Sequence, residues 1–211
     1  MIPSLFKRRR RPRGRLWTLL VLAAAVWQFW QQGMKPPDAP RRSGPSTTSF
    51  ERLHGARLIR HGSNDGDSFK VEHQGVAHHF RLYFADCAET YLNAQNAERV
   101  RDQGRDFGGI EDSRTLTLGR DARHFTRAML EAGGFVIHTR WQRVYDSQRF
   151  YAFVTFPDGE DLSEKLVRAG LARIHTTGTT LPDGRSTRQF EARLRALEHE
   201  ARAAGRGAWR R

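Results

Sequence analysis

The sequence predicts one α+β domain, residues 50–211, behind a separate N-terminal segment. Five short runs have strand-like composition, three runs have helical periodicity, and most of the net positive charge lies outside the predicted domain. At 211 residues the chain is long enough for one well-buried domain with appendages. Cys87 is its one cysteine, so no intramolecular disulfide forms and the core must stabilise the fold.

The N-terminus has the pattern of a membrane-targeting signal. Residues 1–42 hold ten Lys or Arg and one acid, which is +9 of the chain's formal charge of +13. We expect residues 1–15 to be a basic cytoplasmic segment and residues 16–34 a signal anchor with flanking tryptophans. The domain would then face the periplasmic or extracellular side of the cell membrane, or be secreted if the anchor is cleaved. Residues 35–49, rich in Pro and Ser, predict a linker.

Strand-like runs begin soon after the linker. Phe80, Leu82 and Phe84 occupy alternate positions around Arg81. This period of two predicts a half-buried strand with the three apolar residues on one face and the arginine on the other. Gly75 indicates a hairpin turn before this strand. The five predicted strands are Ala56–Arg60, Ser68–Glu72, Ala77–Phe84, Phe135–Trp141 and Phe150–Phe156.

Three helices are predicted from apolar stripes and stop signals. The first ends at Gly133-Gly134, the second covers Asp161–Ala169 after a Pro-Asp-Gly turn, and the third covers Thr187–Ala204. Residues 91–118 lack periodicity and predict a long loop or a partly helical excursion. Three strands, a helix, two strands and two helices are compatible with a five-stranded barrel of the oligonucleotide-binding (OB) type.

Carboxylates flank the strand that carries Arg81. Asp67 begins one strand and Asp86 follows the next, so antiparallel pairing can bring the two together. Two close carboxylates repel each other unless a cation is present, and oxygen ligands favour Ca²⁺ or Mg²⁺. Alternatively, the Asp-Gly-Asp run that ends at Asp67 is only a turn.

Two arginines and one glutamate complete the candidate set. Arg81 and Arg149 present planar guanidinium groups that match phosphate oxygens. Glu89 can act as a base or orient a water molecule. Taken singly, an arginine in this arginine-rich chain is more often a solvated surface residue, and a glutamate such as Glu89 is more often an ordinary loop carboxylate.

The combined order of five segments resembles the staphylococcal nuclease-like, or thermonuclease, family. The segments are DGDSFKV, FRLYFADCAE, YDSQRFYAFV, GEDLSEKLVRAGLARI and GRGAW, and the resemblance spans about residues 54–209. It implies that Asp67 and Asp86 are calcium-binding carboxylates and that the backbone carbonyl of Cys87 is a further ligand. It also implies that Arg81 and Arg149 hold the scissile phosphate, and that Glu89 is the partner of the attacking water.

The implied activity is calcium-dependent hydrolysis of DNA, and RNA is left open as a further substrate. We expect the protein to be a monomer. By similarity the cut falls at the phosphorus–5′-oxygen bond. The segment after Glu89 is much longer than in the family's best-known member, and HTTGTT stands where that member has tyrosines that contact the nucleotide.

Three other functions compete with the nuclease. The same barrel can bind single strands without catalysis. A zinc-dependent hydrolase is disfavoured because no His or Cys pair has ligand spacing. A membrane-bound interaction protein with a purely structural barrel is the third.

Overall fold

The structure is a computed structural model that describes residues 49–175 and 177–210. The predicted basic segment, signal anchor and all but the last residue of the linker lie outside the described residues. Within those two ranges, no helix is both long and apolar enough to cross a membrane.

The described residues form an α+β fold. Its strands are β1 (Glu51–His54), β2 (Arg57–Leu58), β3 (Ser68–His73), β4 (Val76–Leu82), β5 (Ala85–Cys87), β6 (Val136–Arg143), β7 (Phe150–Thr155) and β8 (Ala172–Ile174). Its helices are α1 (Ala97–Asp106), α2 (Asp112–Glu131), α3 (Leu162–Arg168) and α4 (Thr187–Ala203), followed by a 3₁₀ turn at Gly207–Trp209.

Six strands form one mixed sheet in the order β1-β6-β7-β4-β3-β2. The β4–β7 pair is parallel and the other neighbours are antiparallel. β1 and β2 lie at opposite edges, yet only Gly55 and Ala56 separate them in the chain. Gly55 has a φ of +72°, which suits glycine, and provides the bend. Since one short segment joins both edges, the sheet is consistent with the predicted OB-type barrel.

Three of the eight strands were not predicted from the sequence. β1, β5 and β8 have only four, three and three residues, which is too short for a period-two pattern to stand out. β5 and β8 pair with each other in a separate two-stranded sheet, with Asp86 opposite Arg173. This small sheet places both side chains at the candidate site.

Residues 91–118 follow the partly helical alternative of the prediction and not the long loop, and the predicted count of three helices was one too few. The described residues contain four α-helices, and the segment holds α1 and the first part of α2. α1 buries only Val100, Gln103 and Gly104, so it has no apolar stripe to reveal it. Gly104 permits close packing, because a Cβ there would lie 2.6 Å from the carbonyl oxygen of Ile110.

The core lies between the sheet and helices α3 and α4. Tyr83 stacks on Phe153 with ring centroids 4.8 Å apart, and Phe84 meets Phe190 of α4 edge-on at 5.1 Å. Asp161 caps α3 through a capping box and also accepts a hydrogen bond from the backbone of Val154 at 2.8 Å. The end of β4 is therefore anchored in aromatic packing, and β5 begins from a rigid base.

Candidate active site

Arg81 lies at the centre of the site. It is in register opposite Ser68 on β3 and is only 7% exposed, so the predicted half-buried strand is buried on both faces at its Arg81 end. Its Nη1 lies 3.0 Å from Asp67 Oδ1 and its Nη2 lies 2.5 Å from Asp86 Oδ1. The structure thus brings the two predicted carboxylates together on one guanidinium group.

Arg149 approaches the same place from the start of β7. Its Nη1 donates to the hydroxyl oxygen of Ser68 at 3.2 Å, and Arg81 Nη1 donates to that oxygen at 3.4 Å. The hydroxyl in turn donates to Asp67 Oδ1 at 2.9 Å. Ser68 therefore joins both predicted phosphate-binding arginines, a role that its sequence position did not indicate.

Glu89 lies at the rim, with its side chain 26% exposed. Its Oε1 is 2.9 Å from Arg99 Nε, and its backbone N–H donates to Gln103 Oε1 at 3.0 Å. Both partners come from α1. The predicted base is thus held against the helix that the sequence did not predict.

Asp86 is surrounded by donors. Burial opposes its ionisation, but Arg99, Arg81 and Arg173 outweigh burial and hold the pKa of Asp86 below its usual value. Arg173 Nε lies 2.8 Å from Asp86 Oδ2 across the β5–β8 pair. In the same way, Asp67 and Asp86 overcome the effect of burial and raise the pKa of Arg81. Asp86 and Arg81 are both charged at neutral pH.

Asp65, the first carboxylate of the Asp-Gly-Asp run, has a turn-forming role. Its Oδ1 accepts hydrogen bonds from the backbone N–H groups of Asp67 and Ser68, at 3.2 and 2.7 Å. Burial and the neighbouring Asp67 raise the pKa of Asp65 well above its usual value. The turn interpretation therefore holds for Asp65, whereas Asp67 reaches the site.

Cys87 contributes its backbone. Its N–H donates to Asp67 Oδ2 at 2.8 Å, and its carbonyl accepts from Gln103 Nε2 at 2.9 Å. Burial, with Asp67 and Asp65 nearby, raises the pKa of the Cys87 thiol well above its usual value. The thiol is therefore held in its neutral form, and the role of the Cys87 carbonyl as a metal ligand stays a prediction.

Four site residues were missed: Ser68, Arg99, Gln103 and Arg173. Arg99 and Gln103 are four residues apart, the spacing that places two side chains on one face of a helix. That spacing is visible in ERVRDQG, but it has no meaning until the segment is known to be helical. Arg173 became identifiable only through the short β5–β8 pair.

The donor chemistry of the site fits a hard divalent cation. Two carboxylates, Asp67 and Asp86, and the carbonyl of Cys87 supply only oxygen, which is what Ca²⁺ prefers. Across the described ranges, no group of three or more His, Cys, Asp or Glu residues is arranged to hold a metal ion. Each of these oxygen-bearing groups also accepts hydrogen bonds from the chain itself.

The α+β fold thus gathers two arginines and two aspartates, Arg81, Arg149, Asp67 and Asp86, at one place on its sheet. The family model for staphylococcal nuclease homologues matches residues 79–211, which is well over half of the chain. The chain belongs to that family, as its sequence segments predicted. The match includes Arg81, Asp86, Glu89 and Arg149 and begins after Asp67. No curated protein matches the chain.

Proteins of this family are typically nucleases, and those nucleases generally use Ca²⁺. The fold is therefore of a nuclease type, and nucleic acid is the class of substrate that it suggests.

Proposed function

We propose that this protein hydrolyses phosphodiester bonds in nucleic acid. The observation that carries the proposal is the convergence of Arg81 and Arg149 on the hydroxyl of Ser68, within 3.4 and 3.2 Å, beside Asp67 and Asp86. Two guanidinium groups aimed at one point form a clamp for a phosphoryl group. The family match includes both arginines.

Each predicted residue has a role in the proposed reaction. Arg81 and Arg149 bind the phosphate and offset the negative charge that grows on its oxygens in the transition state. Glu89 orients or deprotonates the attacking water once its carboxylate is free of Arg99. Asp67, Asp86 and the Cys87 carbonyl would hold Ca²⁺, which when bound supplies Lewis-acid polarisation of a phosphoryl oxygen.

Two exposed tyrosines favour single-stranded substrates. Tyr91 is 62% exposed two residues after Glu89, and Tyr145 is 82% exposed four residues before Arg149. Exposed aromatic rings stack on unpaired bases and are worth about 1–3 kcal/mol per base. We propose that they take the place of the family's tyrosines that HTTGTT lacks.

The location and assembly of the protein are part of the proposal. The basic and apolar N-terminus supports a membrane-anchored domain that faces out of the cytoplasm, and we propose that this domain acts as a monomer. Protease treatment of spheroplasts, in which only the cytoplasmic membrane shields the cell contents, would degrade the domain if it faces outward. Protection until the spheroplasts are lysed would overturn the proposed orientation.

The activity test uses the full chain, purified in mild detergent, on labelled single- and double-stranded DNA and RNA. We expect cleavage in Ca²⁺, its loss in chelator, and its loss in Arg81→Ala, Arg149→Ala and Glu89→Ala. Arg188→Ala is the matched control, because Arg188 is an exposed arginine on α4. Tyr91→Ala and Tyr145→Ala should weaken binding of single strands more than binding of duplexes.

One observation favours a second function. Arg81 is already paired with two aspartates, and Glu89 is paired with Arg99, so the catalytic groups are engaged within the chain. A non-catalytic single-strand-binding domain would keep this arrangement. Binding of labelled DNA without cleavage under any divalent metal would establish the binding domain and overturn the enzyme.

A further inference from the structure

Helix α1 projects two side chains into the carboxylate site. Arg99 and Gln103 are one helical turn apart and both contact Asp86. The helix belongs to the segment that lengthens this chain after Glu89. None of the five sequence segments that carry the family resemblance includes it.

Gln103 bridges the acceptors that a metal would use. Its Nε2 lies 3.1 Å from Asp86 Oδ2 and 2.9 Å from the carbonyl oxygen of Cys87. Its Oε1 accepts from the backbone N–H of Glu89 at 3.0 Å, and the residue is fully buried. The amide nitrogen thus occupies the position between a carboxylate and a carbonyl where a cation would bind both.

Arg99 adds a positive charge at the same position. Its Nη2 lies 2.8 Å from Asp86 Oδ1 and its Nε lies 2.9 Å from Glu89 Oε1. One guanidinium group therefore holds a predicted metal ligand and the predicted base together. A divalent cation at Asp86 would be repelled by this charge and would need the lone pairs that Arg99 and Gln103 now use.

We propose that α1 competes with the metal, because Arg99 and Gln103 hold the oxygens of Asp86 and Cys87 that a divalent cation would take. Binding of the cation displaces both side chains, and the displacement of Arg99 frees the carboxylate of Glu89. Metal affinity is consequently low in the native chain and rises when either competitor is removed. The inference rests on the calcium site of the proposed function and does not depend on turnover.

The sharpest test is Gln103→Glu in the full chain. The substitution keeps the shape and the Oε1 acceptor, but it puts a carboxylate where the amide donated to Asp86 and Cys87. In the absence of metal, the two carboxylates repel each other, whereas Ca²⁺ gains a ligand. We expect calorimetric Ca²⁺ affinity at least about tenfold above that of the native chain, with a larger rise in melting temperature on adding Ca²⁺.

Arg99→Gln provides a second variant, since Arg99 has a side chain that is 45% exposed and its loss leaves no buried cavity. It should also bind Ca²⁺ about tenfold more tightly than the native chain. Arg105→Gln is the matched control, because Arg105 lies on the same helix and pairs with Asp102 on its outer side. Its affinity should equal that of the native chain.

Equal or weaker Ca²⁺ affinity in both Gln103→Glu and Arg99→Gln would overturn the inference. A native chain that binds Ca²⁺ as tightly as the variants would overturn it as well. Because affinity is measured without substrate, the result is independent of nuclease activity. Tighter binding in an inactive protein would support the competition and overturn only the enzyme.

Discussion

Helices α1 and α4 are held to the domain by different kinds of contact. α4 buries Phe190, Leu194, Leu197 and Ala201, whereas α1 buries Val100, Gln103 and Gly104. Apolar burial holds α4 whether or not a ligand occupies the site, because its stabilisation comes from area removed from water. Hydrogen bonds and the two ion pairs of Arg99 hold much of α1, so a ligand that takes the same acceptors can release it. The two helices differ in what can detach them.

The largest loss of stability should come from truncating an apolar core residue of α4. Phe190→Ala removes a fully buried ring that contacts Phe84 and Phe153, and it should lower the free energy of unfolding by about 3–5 kcal/mol. Denaturant titration followed by circular dichroism measures the loss. A loss below about 1 kcal/mol would mean that α4 is not held by its core contacts, and the contrast with α1 would fail.

Arg81→Met tests how much the buried ion pairs of the site stabilise the fold. The variant keeps the aliphatic length but removes the cation shared by Asp67 and Asp86, whose side chains are 3% and 1% exposed. Buried carboxylates that lose a partner are costly, and we expect a loss of about 3 kcal/mol in the free energy of unfolding.

Arg188→Met, on the exposed face of α4, is the control for Arg81→Met and should be neutral within about 0.5 kcal/mol. If the two arginine variants were equally stable, the buried charges would not contribute to the fold.

A smaller effect should follow from crowding α1. The added methyl of Gly104→Ala would lie 2.6 Å from the carbonyl oxygen of Ile110 and 2.9 Å from Thr115 Oγ1, so the helix must shift. We expect a loss of about 1–2 kcal/mol, and faster amide exchange confined to α1. Gly62→Ala, where a methyl meets nothing within 4 Å, should show neither change. Unchanged exchange in α1 would contradict the tight packing.

The smallest effect at neutral pH comes from His79, which makes stability depend on pH only under acidic conditions. Burial, then Arg149 and Lys70, lower the pKa of His79 to about 4, so the folded state favours the neutral ring. The unfolded chain then binds more protons between about pH 6.5 and 4, and stability falls as the pH falls through this range. His79→Gln should reduce the slope of unfolding free energy against pH. An unchanged slope would show that His79 does not titrate in this way.

The sequence was most informative where burial is apolar and periodic. The stripe of α4, the capped start of α3 at Asp161 and the alternation through Phe80 and Leu82 all correspond to structural elements. The family is confirmed by the match to residues 79–211. The site roles of Asp67, Arg81 and Asp86 stay predictions, although the three side chains do meet in space.

The rest could not be predicted because its signals are polar or short. Gln103 is fully buried, yet glutamine in a sequence predicts exposure. Arg173 reaches Asp86 through a strand of three residues, which is below the length at which alternation can be recognised. Core residues are predicted from apolar periodicity, and the buried polar residues of the site lack that pattern. The site was therefore harder to predict from the sequence than the scaffold.

The packing around Cys87 makes the thiol a natural reporter of unfolding. Cys87 is 4% exposed, and a Cβ added at Gly66 would lie only 2.6 Å from its sulfur. An alkylating reagent has no room to reach it in the folded domain, and the raised pKa keeps the thiolate scarce. As the chain has one cysteine, alkylation with iodoacetamide would mark each opening of the site with a single mass increment. Mass spectrometry could then time how often the domain exposes its interior, without any engineered label.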